Sequence, residues 1–274
     1  AAIDGRVSLG RRLITAAPTS TDMTDASFGI GVVGAGFISR EAHLPSVDYL
    51  PDAHVAAIQN RTRETAAELA TECRATGRGE PTVYGEGEVA DLVADPDVDG
   101  VWVTTPNFVR VDTVDTVVDV VSDGASLQGI AIEKPIARTL QEAKHIVERV
   151  ESIDLPTAYL ENWVHEPDIK KLRTLLWERG RDAGRPYLAR ARAEHGGPHS
   201  GWFWDGRRQG GGALTDMLCH SLAGNDYLLR DLNSETPLQP DTVSADTATL
   251  KWAREAYANE LQDSYGVDYH SNPS

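Results

Sequence analysis

Three stretches of this sequence combine residue types that could bind or transform a ligand. The first is Gly31-Val32-Val33-Gly34-Ala35-Gly36-Phe37-Ile38-Ser39. Gly34 can turn the chain sharply out of a strand, and Gly36 lets the backbone approach a pyrophosphate. Ser39, small at the third position, permits close packing of a helix on the strand. A helix starting at Phe37 and Ile38 would present unpaired N–H groups and the positive end of its dipole to phosphates. The next apolar run ends in Asn60, followed by Arg61-Thr62-Arg63. A carboxylate at that point would accept a ribose 2′-hydroxyl and repel a 2′-phosphate. A neutral amide ahead of two guanidiniums suits the phosphate better, which favours NADP(H) over NAD(H). The ordinary alternative is that Arg63 pairs with Glu64 or solvent.

The second stretch is a pair of strand ends, Thr104-Thr105-Pro106-Asn107 and Glu133-Lys134-Pro135. Both lie where open α/β sheets bind ligands. A lysine there, beside a glutamate and ahead of a proline, can polarise a substrate oxygen or hold a proton; a surface loop lysine is the plainer reading. The third stretch, Gly210-Gly211-Gly212, leads into Asp216 and His220, four apart. On a helix these two share a face. Histidine can take the proton of an alcohol as hydride leaves, with a carboxylate nearby to steady it.

These residues require a framework of alternating strands and helices. β-Branched runs are read as strands at Gly29–Val33, Val55–Gln59, Thr82–Tyr84, Gly100–Thr104, Gly129–Ile132 and Thr157–Leu160. Helices are read near Ser39–Val47, Thr62–Thr76, Val109–Val121 and Leu140–Glu151. That alternation predicts an α/β domain with a parallel sheet over residues 28–155, after an irregular extension over 1–27. From residue 156 the character changes. A helix over Asp168–Arg179, a strand over Tyr187–Ala193, a helix over Ala213–Leu229 and a strand over Thr242–Trp252 predict a second, α+β domain over 156–274.

In order and spacing the set resembles the Gfo/Idh/MocA oxidoreductases: Gly34 to Ser39 with His43-Leu44-Pro45, then Thr105-Pro106-Asn107, Glu133-Lys134-Pro135, and Gly211-Gly212 with Asp216 and His220. The resemblance implies a Rossmann domain holding NAD(P) through Gly34, Gly36, Phe37, Ile38, Asn60, Arg61, Arg63, Thr105, Pro106, Asn107, Glu133 and Lys134. It places Lys134, Asp216 and His220 in the catalytic site. It implies hydride transfer to or from a secondary alcohol or carbonyl of a sugar, cyclitol or related polyol. An NAD-dependent glycoside hydrolase and a non-catalytic nucleotide-binding protein are the other classes this resemblance leaves open. It further implies a homo-oligomer built through an open, mostly antiparallel C-terminal sheet, for which the chain carries only two strand-like runs, so that sheet reads as incomplete and cut short. Arg110 stands where the family often has histidine. Trp163, His165 and Trp204 could wall a polyhydroxy ring or fill a core.

Composition narrows the partners. A formal charge of −16 argues against nucleic acid or an anionic membrane surface and leaves small molecules. No apolar run reaches a membrane span. Two cysteines, Cys73 and Cys219, read as thiols in a reducing, cytoplasmic compartment. A zinc set drawn from His195, His199, Cys219 and His220 is disfavoured, since the first two sit in a Gly/Pro loop and the last two point to different helix faces; no metal is expected. Lysine supplies only five of the 26 basic residues. A carboxylate-rich, lysine-poor surface fits a salt-adapted, halophilic protein, because salt screens its self-repulsion. The urea midpoint is therefore expected to rise from low to molar salt, and a maximum at low salt would overturn that reading.

Overall fold

The computed structural model describes residues 27–194, 197–198, 200–234, 236–249, 251 and 254–267. The proposed extension, apart from Ser27, and both His195 and His199 lie outside the described residues. The chain forms two compact units that part between Leu160 and Glu161.

The first unit is built on six strands: β1 (Phe28–Val33), β2 (Ala53–Gln59), β3 (Thr82–Tyr84), β4 (Gly100–Val103), β5 (Gly129–Glu133) and β6 (Thr157–Leu160). All pair in parallel, in the order β3-β2-β1-β4-β5-β6. The order reverses between β1 and β4, so the crevice beyond their carboxyl ends is the place for a ligand. Five helices connect the strands: α1 (Leu44–Ser46), α2 (Arg63–Thr76), α3 (Val89–Val93), α4 (Arg110–Ser122) and α5 (Leu140–Glu151). The short α3 has no counterpart in the sequence reading, because five residues are too few to display a helical period.

Side-chain alternation along the strands feeds two cores, one on each face of the sheet. Ile30 and Val32 of β1 join Leu44, Val55, Ile58 and Leu69, whereas Val33 joins Val101, Val103, Val117, Ile132 and Ile146. β2 breaks strict alternation: Ala56 and Ala57 both belong to the second core, at the register shift between Ile30 and Gly31 of β1. An extra residue in one strand moves the following side chains to the other face. Each fully buried leucine or isoleucine contributes about 1.5–3 kcal/mol. Local signals set the helix ends. Thr139 accepts a hydrogen bond from the Glu142 N–H at the start of α5, and Gly77 closes α2 with φ +73°.

The helix expected over Ser39–Val47 is wound in three ways. Ser39–His43 is a π-turn with the Leu44 N–H on the Ser39 carbonyl, followed by α1 and a 3-10 turn at Val47–Tyr49. Pro45 explains the change, since it has no N–H to offer and its ring crowds the carbonyl four residues back.

The second unit is helical in its described residues: α6 (Pro167–Thr174), running into a π-turn at Leu175–Arg179, then α7 (Gly206–Gln209), α8 (Ala213–Asp216), α9 (Leu218–Leu229) and α10 (Glu255–Tyr265). The strand expectations at Tyr187–Ala193 and Thr242–Trp252 are corrected: the described residues of both stretches form no strand. Tyr187 and Val243 stand exposed, and a strand exists only where a neighbour completes its ladder. Hence no antiparallel sheet is seen among the described residues of this unit. The helix expected over Ala213–Leu229 is broken at Met217.

Tyr84 at the end of β3 gives a test of this packing. Its hydroxyl donates to Asp95 at 2.8 Å. Burial foremost, and then the Asp95 carboxylate, push its pKa up to about 12. The folded state thus holds this proton more tightly than the unfolded state. The resulting stability is fully present below pH 10 and is lost as pH rises through about 12. Alkaline titration followed at the tyrosinate absorbance is expected to show a late step that Tyr84→Phe removes.

Candidate functional site

The ligand edge of the first unit starts at the glycine turn after β1. Gly34 has φ +108°, and a Cβ there would lie 3.0 Å from the Thr104 backbone, so the position accepts glycine alone without strain. Two buried hydroxyls brace the turn. Ser39 Oγ lies 2.5 Å from the Gly34 carbonyl and 2.8 Å from Thr104 Oγ1, which reaches the Val33 and Gly34 carbonyls at 3.0 and 2.8 Å. Ser39 is thus more than a small packing residue, because it locks the turn to the end of β4. Gly36 is exposed, and a Cβ there would meet nothing within 4 Å. Phe37 is exposed and Ile38 half-buried at the start of the helical segment.

Asn60 braces the same turn from β2. Its Oδ1 accepts from the Ala35 N–H at 3.2 Å and its Nδ2 donates to the Thr62 carbonyl at 3.0 Å. Of the two arginines that follow, Arg63 pairs with Glu88 at 2.6 Å and donates to the Val83 carbonyl at 2.8 Å. Arg61 is exposed with no partner among the described residues.

The loops after β4 and β5 meet on Arg110, the residue that stands where the resembled family often has histidine. Its guanidinium, 2% exposed, donates to the backbone carbonyls of Glu133 (2.9 Å), Pro135 and Thr105. Burial lowers its pKa to about 10 against the opposing pull of Glu133. The Glu133 side chain, also buried, turns elsewhere and meets His43 Nε2 at 2.8 Å. Lys134 is half-buried and precedes a cis peptide bond to Pro135. Asn107 is buried at the foot of the loop beside Pro106.

These residues fit a dinucleotide. Gly36 leaves the turn open to a close-lying phosphate, and Thr105 Oγ1 at the carboxyl end of β4 is buried with no hydrogen-bond partner. A buried hydroxyl without a partner is costly, on the order of 1–3 kcal/mol, and a ligand at this edge would satisfy it.

The second unit carries the other expected residues. His220 is buried on α9 and its Nδ1 lies 2.7 Å from Glu161 Oε1. Glu161 was not singled out from the sequence. It follows β6, and only folding brings it to a histidine 59 positions away. Trp163 donates its backbone N–H to Glu161 Oε1 at 3.0 Å and stacks its ring on His220, with centroids 5.4 Å apart and an interplanar angle of 15°. Asp216 ends α8 and is separated from α9 by the break at Met217, so the two residues do not share one continuous helix face. Cys219 Sγ lies 3.2 Å from the Asp216 carbonyl. His165 is exposed, while Trp204 is buried with its ring tilted against Tyr265 at 6.1 Å.

Residues 28–157 match a family model, GFO_IDH_MocA, described as an oxidoreductase family with an NAD-binding Rossmann fold. This segment resembles the Gfo/Idh/MocA family. The protein YMR315W of Saccharomyces cerevisiae is 34% identical over 142 residues, 52% of this chain and 38% of that one. The 1,5-anhydro-D-fructose reductase of Ensifer adhaerens is 28% identical over 204 residues, 73% of this chain and 56% of that one. The chain therefore spans about half the length of these relatives. Among solved structures, GenD2 from gentamicin A biosynthesis, in complex with NAD, shares the fold. Its TM-score is 0.63 at 23% identity, over 78% of this chain and 57% of that one. Within this matched segment Arg110 is the tie between the two loops.

Arg110→Lys keeps the charge but cannot span three carbonyls. It is expected to lower the unfolding free energy by about 1–3 kcal/mol and to weaken dinucleotide binding. Urea unfolding and a cofactor titration check this; a variant unchanged in both would remove the role assigned to Arg110.

Proposed function

We propose that the protein is an NAD(P)-dependent dehydrogenase or reductase that prefers NADP(H) and acts on a secondary alcohol or carbonyl of a sugar, cyclitol or related polyol. The observation that carries the reading is the cradle in the first unit: a turn held open at Gly34 and Gly36 beside the unpaired, buried hydroxyl of Thr105. When bound, the nicotinamide accepts or supplies a hydride. The chain's own residues do the remaining work. The start of the helical segment after Gly36 faces the pyrophosphate with N–H groups, and Thr105, Pro106 and Asn107 line the edge next to Lys134. Lys134 holds and polarises the reacting oxygen. In the second unit, His220 and Asp216 are the residues that the family resemblance assigns to catalysis, and Trp163 and His165 are the side chains offered to a polyhydroxy ring. The buried Trp204 fits a core better than a sugar wall.

The sugar class is supported by the 1,5-anhydro-D-fructose reductase among the relatives. A homo-oligomer formed through an open sheet belongs to the same reading and rests on the family resemblance. The cofactor preference rests on Arg61. No carboxylate stands at Asn60, Arg63 is already committed to Glu88, and Arg61 is left exposed for a 2′-phosphate.

Fluorescence titration of the chain with NADPH and NADH tests this. NADPH is expected to bind roughly tenfold to a hundredfold more tightly, the worth of charge-assisted hydrogen bonds to one phosphate. Arg61→Ala should abolish the difference while leaving NADH affinity unchanged. Equal affinities in the unaltered chain would remove the preference, and binding of neither would remove the reading as a whole.

A further inference from the structure

We propose that Glu161 is a positioning residue for His220: it holds the proton of the neutral ring on Nδ1, so that Nε2 carries the lone pair that takes the proton of the substrate hydroxyl. The inference rests on the reading of His220 as the acid and base of the proposed reaction, and it names the group that prepares the histidine for that step.

Two donors converge on one carboxylate oxygen. Glu161 Oε1 lies 2.7 Å from His220 Nδ1 and 3.0 Å from the Trp163 backbone nitrogen. A backbone N–H can only donate, and an ionised carboxylate can only accept. The proton in the 2.7 Å contact is therefore the ring's own, on Nδ1. A neutral imidazole has a single N–H, which leaves the lone pair on Nε2. Free in water, neutral imidazole of a histidine carries its proton mostly on Nε2, so the arrangement is imposed by Glu161 and is not the preference of the ring. Among the described residues the ring makes no other hydrogen bond.

The direction of the ring is set together with its proton. The Trp163 indole lies along it, with centroids 5.4 Å apart and an interplanar angle of 15°. The same indole extends past Gly224, one turn further along α9, where a Cβ would stand 3.6 Å from it. Trp163 thus holds the carboxylate by its backbone and the imidazole by its side chain. Turning the imidazole over would keep the stack but break the bond to Glu161. Orientation of one ring nitrogen by a hydrogen bond at the other is how acid–base histidines are commonly fixed.

The pair is a poor device for stability. Both side chains are buried, and burying ionisable partners seldom repays their desolvation. Glu161 Oε2 adds to the cost, being buried with no hydrogen-bond partner among the described residues. What the carboxylate supplies is a fixed negative charge beside the ring. When Nε2 takes the hydroxyl proton, the O–H bond breaks, an N–H bond forms, and the two electrons of the adjacent C–H bond leave as hydride to the oxidised nicotinamide of the proposed reaction. The ring becomes an imidazolium, and its new charge arises next to Glu161 in surroundings shielded from water, where the attraction is strongest. In the reverse direction Nε2 returns the same proton.

The test reads the proton itself. The full chain, with its eight histidines isotope-labelled at the ring nitrogens, is followed by proton–nitrogen NMR up a pH series until the ring is neutral; His220→Gln identifies the His220 signals by their loss. The unaltered chain is expected to show a protonated Nδ1 and a bare Nε2. Glu161→Leu, which keeps the bulk and removes the acceptor, should return the proton to Nε2. Glu161→Gln, whose amide oxygen can replace Oε1 on both donors, should keep it on Nδ1, and Asp216→Asn should leave the ring nitrogens as in the parent. With NADP⁺ and whichever of D-glucose, D-xylose and myo-inositol the parent oxidises, Glu161→Leu is expected to lower kcat by roughly 10²–10⁴-fold, the worth of a general base, with KM little changed; Glu161→Gln should recover part of that loss. Far-UV circular dichroism and an NADPH titration of each variant show that fold and cofactor edge are intact. Failure of the unaltered chain to bind NADPH counts against the cofactor reading, whereas the ring signals bear on Glu161 alone. A neutral His220 with its proton on Nε2 in the unaltered chain, a Glu161→Leu variant that keeps it on Nδ1, or a change of tautomer in Asp216→Asn would overturn the proposal.

Discussion

A guanidinium hidden from water must be surrounded by acceptors, and the ligand edge of the first unit is organised around one that is. Arg110 lies in the first turn of α4, yet its bonds go back to the loop after β4 and across to the loop after β5. Three backbone carbonyls take its protons without neutralising its charge, and burial accordingly pulls its pKa down to about 10. Because the Glu133 backbone serves Arg110, the Glu133 carboxylate remains for His43 in the π-wound segment after β1. One buried charge thereby joins the segments that follow three adjacent strands, β1, β4 and β5.

The turn at Gly34 is held by different means. Here no charge is involved: the Ser39 and Thr104 hydroxyls lie within hydrogen-bond distance of each other and share their two protons among that contact and the carbonyls of Val33 and Gly34. Asn60 adds a bond to the Ala35 N–H from β2. Neutral hydroxyls are less costly to bury than a guanidinium, and they leave the outer side of Gly36 clear. The result is a rigid turn whose inner face is satisfied by protein and whose outer face is open.

What could be read from the sequence follows from how local each determinant is. All six strands of the first unit were legible to within a residue or two, because a buried parallel sheet writes itself as short β-branched runs with amphipathic helices between them. The glycine turn was legible for the same reason, since its chemistry lies within six consecutive residues. Arg110 was visible only as an oddity, because its partners are carbonyls, which every residue has. The pairing of Arg63 with Glu88 was not legible, since Glu88 lies 25 positions on, whereas the adjacent Glu64 is the partner the sequence displays. In the second unit the alternation of Tyr187–Ala193 imitated a strand, but alternation states only which side chains could face one way. It says nothing of whether a neighbouring strand exists to pair with. Tyr257, Leu261 and Tyr265 do follow a helical spacing, and α10 could have been found from it.

The same argument accounts for Glu161. Asp216 was preferred as the partner of His220 because four residues along a helix is a relation a sequence can display. That relation is clearest on a continuous helix, and here the helix is interrupted at Met217 between α8 and α9. A carboxylate that reaches the imidazole, Glu161, comes from another segment, lies deep enough to exclude water, and is held there by the backbone N–H of Trp163. A single carboxylate oxygen is enough to bind His220. The second is shut away from solvent and has no part in that bond, so the pair leaves one buried acceptor unsatisfied, which is the cost of holding a carboxylate this deep.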